Sequence, residues 1–350
     1  MFKRIIVPLD GSSRAEHALP VAAHIARVSG GSLHLLQVLS PMVDYGGLAA
    51  VPMVTEESVK AEMIESTHYL TTLAALPMLA GIPISTEVVF GVPARQILAA
   101  AESRGTNLIV LCSHGRTGFT RWALGSVTHQ LVHQSSVPLL VLREHEATSL
   151  LSHGDAVQSF RTLVPLDGSE LAESALMPAA YLTSALSTSG HGALHLVQVV
   201  KVFPPTAEEG FVSELNEEAL QRARTYLTTL IEHVQTTMKD LKISLTSSVE
   251  YERDVVNTLV NVAEQKGERK VTENVGGCDV IAISTHGRSG LQRLIMGSVT
   301  DRLLNTTTQP MLIVRPHKAS RILNEEKHAL KQKHNAPEPV HAESSWVGLL

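Results

Sequence analysis

Arg4-Ile5-Ile6-Val7-Pro8-Leu9-Asp10-Gly11-Ser12-Ser13 is an apolar run that ends in an acid, a glycine and two hydroxyls. It returns as Arg161-Thr162-Leu163-Val164-Pro165-Leu166-Asp167-Gly168-Ser169-Glu170. A short apolar strand that stops at a turn signal and opens a helix is how a βαβ unit begins. Meeting it twice predicts two domains on one plan. Working outward, Leu33-His34-Leu35-Leu36-Gln37-Val38 matches Leu194-His195-Leu196-Val197-Gln198-Val199. Val137-Pro138-Leu139-Leu140-Val141-Leu142 parallels Gln309-Pro310-Met311-Leu312-Ile313-Val314.

Between these landmarks, short apolar runs alternate with longer amphipathic ones, which is the pattern of an open α/β/α sheet. Strands are expected near 4–9, 32–39, 84–90, 107–112 and 138–143, then near 161–166, 193–200, 243–250, 279–284 and 310–315. They read as apolar throughout, as parallel strands covered on both faces do. Helices are expected near 13–29, 57–80, 93–104 and 126–135, the first capped by Ser12 or Ser13 and stopped by Gly30-Gly31. The fold class is thus two tandem three-layer α/β/α domains of five parallel strands each, spanning 1–145 and 158–317. Residues 146–157 read as a polar linker, Lys266 to Gly277 as a polar insertion, and 318–350 as a polar C-terminal tail.

The chain of 350 residues is long enough for two cores, and its 44% apolar and 18% charged residues suit globular domains. A net charge of −5 gives no electrostatic reason to expect nucleic acid or an acidic membrane as partner. The two cysteines, Cys112 and Cys278, stand at non-equivalent places, so no disulfide framework or zinc cluster is expected. No signal peptide or membrane span is legible, and a cytoplasmic protein is expected.

The candidate chemistry lies in a second duplication. Ser113-His114-Gly115-Arg116-Thr117-Gly118 leads to Gly125-Ser126-Val127-Thr128, and Thr285-His286-Gly287-Arg288-Ser289-Gly290 leads to Gly297-Ser298-Val299-Thr300. Nine residues separate Gly115 from Gly125 and Gly287 from Gly297. A glycine loop that ends at a helix start leaves backbone N–H groups to face an anion, so phosphate binding is expected. A tight turn with Ser126 and Ser298 as N-caps, and Asp301 completing a capping box, would account for the same residues without a ligand. Asp10 and Asp167 end the first strands, where a carboxylate can take ribose hydroxyls or help hold a cation, or cap its own turn. Arg116 and Arg288 can meet phosphate or solvent. His114 and His286 have no ligand-spaced partner, so no metal is expected at them. Cys112 reads as a small buried residue or a reactive thiol.

These motifs, with Gly91-Val92-Pro93-Ala94, resemble those of the universal stress protein family across roughly 1–145 and 158–317. The resemblance implies strand order 3-2-1-4-5 and ATP, with or without Mg²⁺, between the first and fourth strands of each half. Asp10 and Asp167 would meet the nucleoside, and Val38 and Val199 the adenine edge. Gly115, Gly125 and Ser126, with Gly287, Gly297 and Ser298, would hold phosphates. Pro8, Cys112, His114 and Val127, with Pro165, Ser284, His286 and Val299, complete the implied nucleotide-binding set. The halves would pack through their last strands, and the chain would pair into homodimers. The sequence departs from the family motif at its first glycine, which is Cys112 in one half and Ser284 in the other. Arg253 and Val255 stand where the second half would carry Gly91 and Pro93.

The leading function is an ATP-binding stress-response module with an unnamed protein partner. Two others stand beside it: a slow ATPase or phosphotransferase, and a nucleotide-free scaffold working through its surfaces. Against the enzyme, the chain has no Walker-type lysine and no evident general base.

Overall fold

The computed structural model describes residues 1–40, 56–113, 124–143, 149–151, 160–187, 192–201, 209–264, 277–285 and 296–316. Residues Met1–Pro316 form one compact unit. In chain order the first half runs β1 (Arg4–Leu9), α1 (Ser13–Glu16), α2 (Ala18–Ser29), β2 (Ser32–Leu39), α3 (Glu56–Ala74), β3 (Ile84–Phe90), α4 (Pro93–Ser103), β4 (Leu108–Cys112), α5 (Ser126–Gln134) and β5 (Leu139–Leu142). The second runs β6 (Arg161–Leu166), α6 (Glu170–Glu173), α7 (Leu176–Leu186), β7 (Gly192–Val200), α8 (Glu209–Thr237), β8 (Ile243–Tyr251), α9 (Val255–Glu264), β9 (Val280–Ser284), α10 (Ser298–Thr306) and β10 (Met311–Val314).

All ten strands join one sheet, in the order β3-β2-β1-β4-β5-β10-β9-β6-β7-β8. Each half has the expected 3-2-1-4-5 order, with parallel pairing inside it. The halves meet where β5 and β10 pair antiparallel, with Leu140 opposite Leu312. Period-two alternation splits the core into two layers. Ile5, Val7 and Leu9 face the layer holding α2, α3, α7 and α8. Ile6 and Leu36 face the layer holding α4, α5, α9 and α10. Two arginines clasp the seam reciprocally: Arg143 donates to the Leu304 carbonyl, and Arg315 donates to the His133 carbonyl at 2.9 Å.

Three expectations change. The edge strands β3 and β8 are not apolar throughout: Ser85, Thr86, Glu87, Ser247 and Glu250 punctuate them, because each has a neighbour strand on one side only and is less buried than the central strands. The first helix divides at His17 into α1 and α2, and Gly30, at φ 60°, ends α2 as expected. The helix expected to reach residue 80 stops at Ala74; Leu76 is extended before Pro77, which opens a short 3₁₀ turn.

Candidate functional site

In an open parallel sheet, a crevice forms at the carboxyl ends of neighbouring strands whose connections leave in opposite directions. Here β1 lies between β2 and β4, and β6 lies between β7 and β9. Directly after β1, the Asp10 carboxylate accepts from the Ser12 N–H at 3.0 Å and from its hydroxyl at 2.6 Å. Ser12 in turn accepts from the Ala15 N–H at 3.2 Å as the N-cap of α1. Asp167 and Ser169 repeat these contacts at 3.0, 2.6 and 3.2 Å. Gly11 (φ 80°) and Gly168 (φ 81°) take the left-handed conformation that these turns require.

The helices that follow the glycine loops start differently from the expectation. Gly125 and Gly297 are the N-caps, and Ser126 and Ser298 are the first helical residues, exposed and without a capping bond. The reason is contact. Each glycine N–H donates to a carbonyl at the end of the preceding strand segment, Ser113 O and Thr285 O, at 2.8 Å. A Cβ on Gly125 would lie 2.8 Å from Ser113 O, whereas on Gly297 it would lie 3.3 Å from Thr285 O. The cap shifts Asp301 one place past capping-box position, and its N–H donates to Gly297 O at 3.1 Å.

Cys112 and Ser284, at the motif's missing first glycine, are the last residues of β4 and β9. Among the described residues the one non-glycine with positive φ is Lys242, so neither position needs a glycine's conformation. Ser284 is buried, its carbonyl accepting from the Thr300 hydroxyl at 3.0 Å, and Cys112 is half-buried. Val38 and Val199 occupy equivalent, half-buried positions near the ends of β2 and β7. Pro8 and Pro165 pair with Leu36 and Val197, and Pro165 is the more buried. Val127 and Val299 are half-buried in the first turns of α5 and α10. His114, Gly115, Arg116, His286, Gly287 and Arg288 lie outside the described residues. So do residues 265–276, most of the expected linker, and everything after Pro316.

Around Gly91 the halves diverge by one residue. Gly91, at φ 146°, donates to Leu39 O at 2.9 Å, and Val92 then caps α4. In the second half Glu252 makes the equivalent bond, to Val200 O at 3.2 Å. Arg253 is an extra residue before Asp254, whose carboxylate accepts from the N–H groups of Val256 and Asn257. An added residue does the work of the glycine. Asn107 and Asp279 are equivalent in role: each side chain accepts from backbone N–H groups at the start of β1 or β6.

Two duplicated features were missed in the sequence. Tyr69 donates to Glu16 at 2.9 Å, and Tyr226 donates to Glu173 at 3.0 Å, which pins α1 and α6 beside the aspartate turns. Burial and then the Glu16 carboxylate push the Tyr69 phenol well above its ordinary range. Gln37 and Gln198, buried next to these turns, each hold an Oε1 with no hydrogen-bond partner among the described residues. Equal spacing of the Tyr and Glu in both halves was a legible signal. Nothing in the sequence marked the glutamines beyond their repetition.

A duplicated open sheet with a crevice at each order reversal defines a tandem doubly wound α/β protein. The universal stress protein family model matches residues 1–143 and 160–315, and the chain belongs to that family. A universal stress protein of Mycolicibacterium smegmatis is 23% identical over 321 residues, covering 89% of this chain and 97% of that one. Universal stress protein YxiE of Bacillus subtilis is 31% identical over 151 residues, covering 41% of this chain and all (100%) of its own. The crystal structure of a universal stress protein from Archaeoglobus fulgidus aligns with a TM-score of 0.59 at 17% identity, covering 90% of this chain and 99% of that one. Among the described residues no helix is long and apolar enough to cross a membrane.

Proposed function

We propose that the chain is an ATP-binding regulatory module of the stress response, with one nucleotide site per half at the carboxyl ends of β1 and β4 and of β6 and β9. The observation that carries this reading is a convergence repeated in both halves. The aspartate turn, the end of the fourth strand and a glycine-capped helix N-terminus are gathered at one end of the sheet. The first N–H groups of α5 and α10 suit phosphate oxygens. The orphaned Oε1 atoms of Gln37 and Gln198 suit a hydroxyl or amino donor on the nucleoside, since a buried acceptor left unpaired costs stability. Asp10 and Asp167 are the carboxylates available to ribose hydroxyls or to Mg²⁺. Val38 and Val199 offer half-buried apolar surface to the base. The first half is the stronger site, because it keeps the Gly91-Val92-Pro93-Ala94 turn. Nucleotide state would change the surfaces shown to a protein partner, which makes the chain a cytoplasmic binding module rather than an enzyme.

The test is to denature the purified full chain, identify released nucleotide by mass spectrometry, and titrate the emptied protein with ATP with and without Mg²⁺. Saturable binding that is lost in a folded Gly125→Val, Gly297→Val double variant supports the proposal. A chain that releases no nucleotide and binds none on titration leaves the nucleotide-free scaffold in its place.

A further inference from the structure

Behind the seam between the halves, α5 and α10 bring three potential metal ligands together. Their glycine caps are equivalent, and His129 and Asp301 occupy the same place in each helix, each donating its N–H to the cap carbonyl at 2.9 and 3.1 Å. The duplication thus sets a histidine of one half against an aspartate of the other. His133 lies one turn beyond His129, and residues four apart on a helix share a face. The two imidazole centroids are 4.4 Å apart, tilted by 43°. One ligand atom from each of His129, His133 and Asp301 lies within 4.8 Å of the other two.

We propose that His129, His133 and Asp301 form a site for a divalent transition-metal ion, Zn²⁺ foremost, that bridges the two halves of the chain. The unmet nitrogen is the second observation. His133 Nε2 is buried and has no hydrogen-bond partner among the described residues, a cost that a bound ion or a rotation onto one relieves. Two imidazoles and one carboxylate suit Zn²⁺, Co²⁺, Ni²⁺ or Cu²⁺, whereas Mg²⁺ and Ca²⁺ take oxygen ligands. Zinc bonds of about 2.0–2.2 Å in a tetrahedron put ligand atoms about 3.3 Å apart. His129 and Asp301 must therefore swing inward by roughly an ångström, and His129 is exposed and has the room. Three protein ligands leave a fourth position for water on the His129 side. Arg315 is the adverse charge nearby, and its guanidinium is engaged by the His133 carbonyl at 2.9 Å. The site is independent of ATP, standing on side chains that the nucleotide reading does not use.

The experiment titrates chelator-stripped full chain with Zn²⁺ by calorimetry, follows the melting temperature, and records the visible spectrum after Co²⁺ loading. His129→Ala, His133→Ala and Asp301→Asn are compared with wild type, and His68→Ala, an exposed histidine of α3, serves as control. Expected is one ion per chain lost from each ligand variant and kept by the control. Loss of a ligand should weaken that binding by more than the roughly 10–100-fold that a supporting partner commands. The zinc-induced rise in melting temperature and the Co²⁺ bands disappear with it. If His133→Ala fails to fold, His129→Ala and Asp301→Asn carry the comparison. Unchanged stoichiometry and affinity in His129→Ala and Asp301→Asn, or no saturable binding by wild type, overturns the proposal.

Discussion

At the scale of single residues, equivalent positions in the two halves make internal controls. Gly125 and Gly297 have ordinary extended backbones (φ −59° and −62°), so conformation does not require glycine at either. Contact alone separates them. Gly125→Ala drives a Cβ onto a backbone oxygen at 2.8 Å that cannot step aside cheaply, and it should cost about 1–3 kcal/mol in urea unfolding. Gly297→Ala, at 3.3 Å, should cost less; equal losses would show that the cap, not the contact, governs both. His34 offers a second case. It bonds Ser85 at 2.9 Å and Glu87 at 3.0 Å, while burial first, then the Arg104 charge, holds its imidazole below the ordinary 6.5. The unfolded chain takes up that proton near pH 6.5 and the folded chain only at lower pH, so the unfolded state binds more protons in that window. Stability from this group is whole above the window and falls as pH drops through it. His34→Gln should therefore flatten the decline of stability with falling pH just below 6.5. A slope identical to wild type in that interval would remove His34 from the account.

At the scale of elements, α1 is a single turn whose place depends on its cap and its tyrosine. Ser12 both caps α1 and holds the Asp10 carboxylate, so Ser12→Ala should cost about 1 kcal/mol in chemical unfolding. It should also loosen the turn proposed to meet the nucleoside, which a weaker ATP affinity in the same variant would report. The order of elements was legible because alternating apolar runs and turn residues are local signals, and the duplication gave each reading twice. The parts that were not legible depend on contacts between distant segments. The cap falls on Gly125 rather than Ser126 because the end of β4 presses on it. β3 carries Ser85 and Glu87 because His34 on the neighbouring strand needs partners, something no window along β3 reveals. The Gly91 turn and its longer counterpart through Arg253 align badly in sequence because one adds a residue where the other uses a left-handed glycine. At the candidate site, the aspartate turns and the helix starts after the glycine loops could be read from motifs, whereas the glycine caps, Gln37 and Gln198 show themselves only through contact and burial.

At the scale of the whole molecule, the seam explains why two similar halves make one compact unit. β5 and β10 are buried strands, and each is the edge of its own five-stranded set until the other pairs with it. An uncovered apolar edge strand seeks a partner, and a sequence with an internal copy supplies one within the chain. The antiparallel register, with Leu140 opposite Leu312, and the reciprocal clasps of Arg143 and Arg315 give this contact an approximate two-fold symmetry. A surface that pairs with its own near-copy across a two-fold axis can pair with itself. The Bacillus subtilis relative is matched over its whole length by 41% of this chain, about the length of one half, so one half is enough chain for the fold. Residues 1–145 expressed alone should therefore form a homodimer through β5, with Leu140 opposite Leu140 at the axis. Light scattering should report twice the monomer mass, and Leu140→Lys should return the half to a folded monomer, because two buried ammonium groups would then face each other across the seam. A wild-type half that stays monomeric and folded would mean that the clasping arginines and helices, rather than the strand edge, hold the natural pair together.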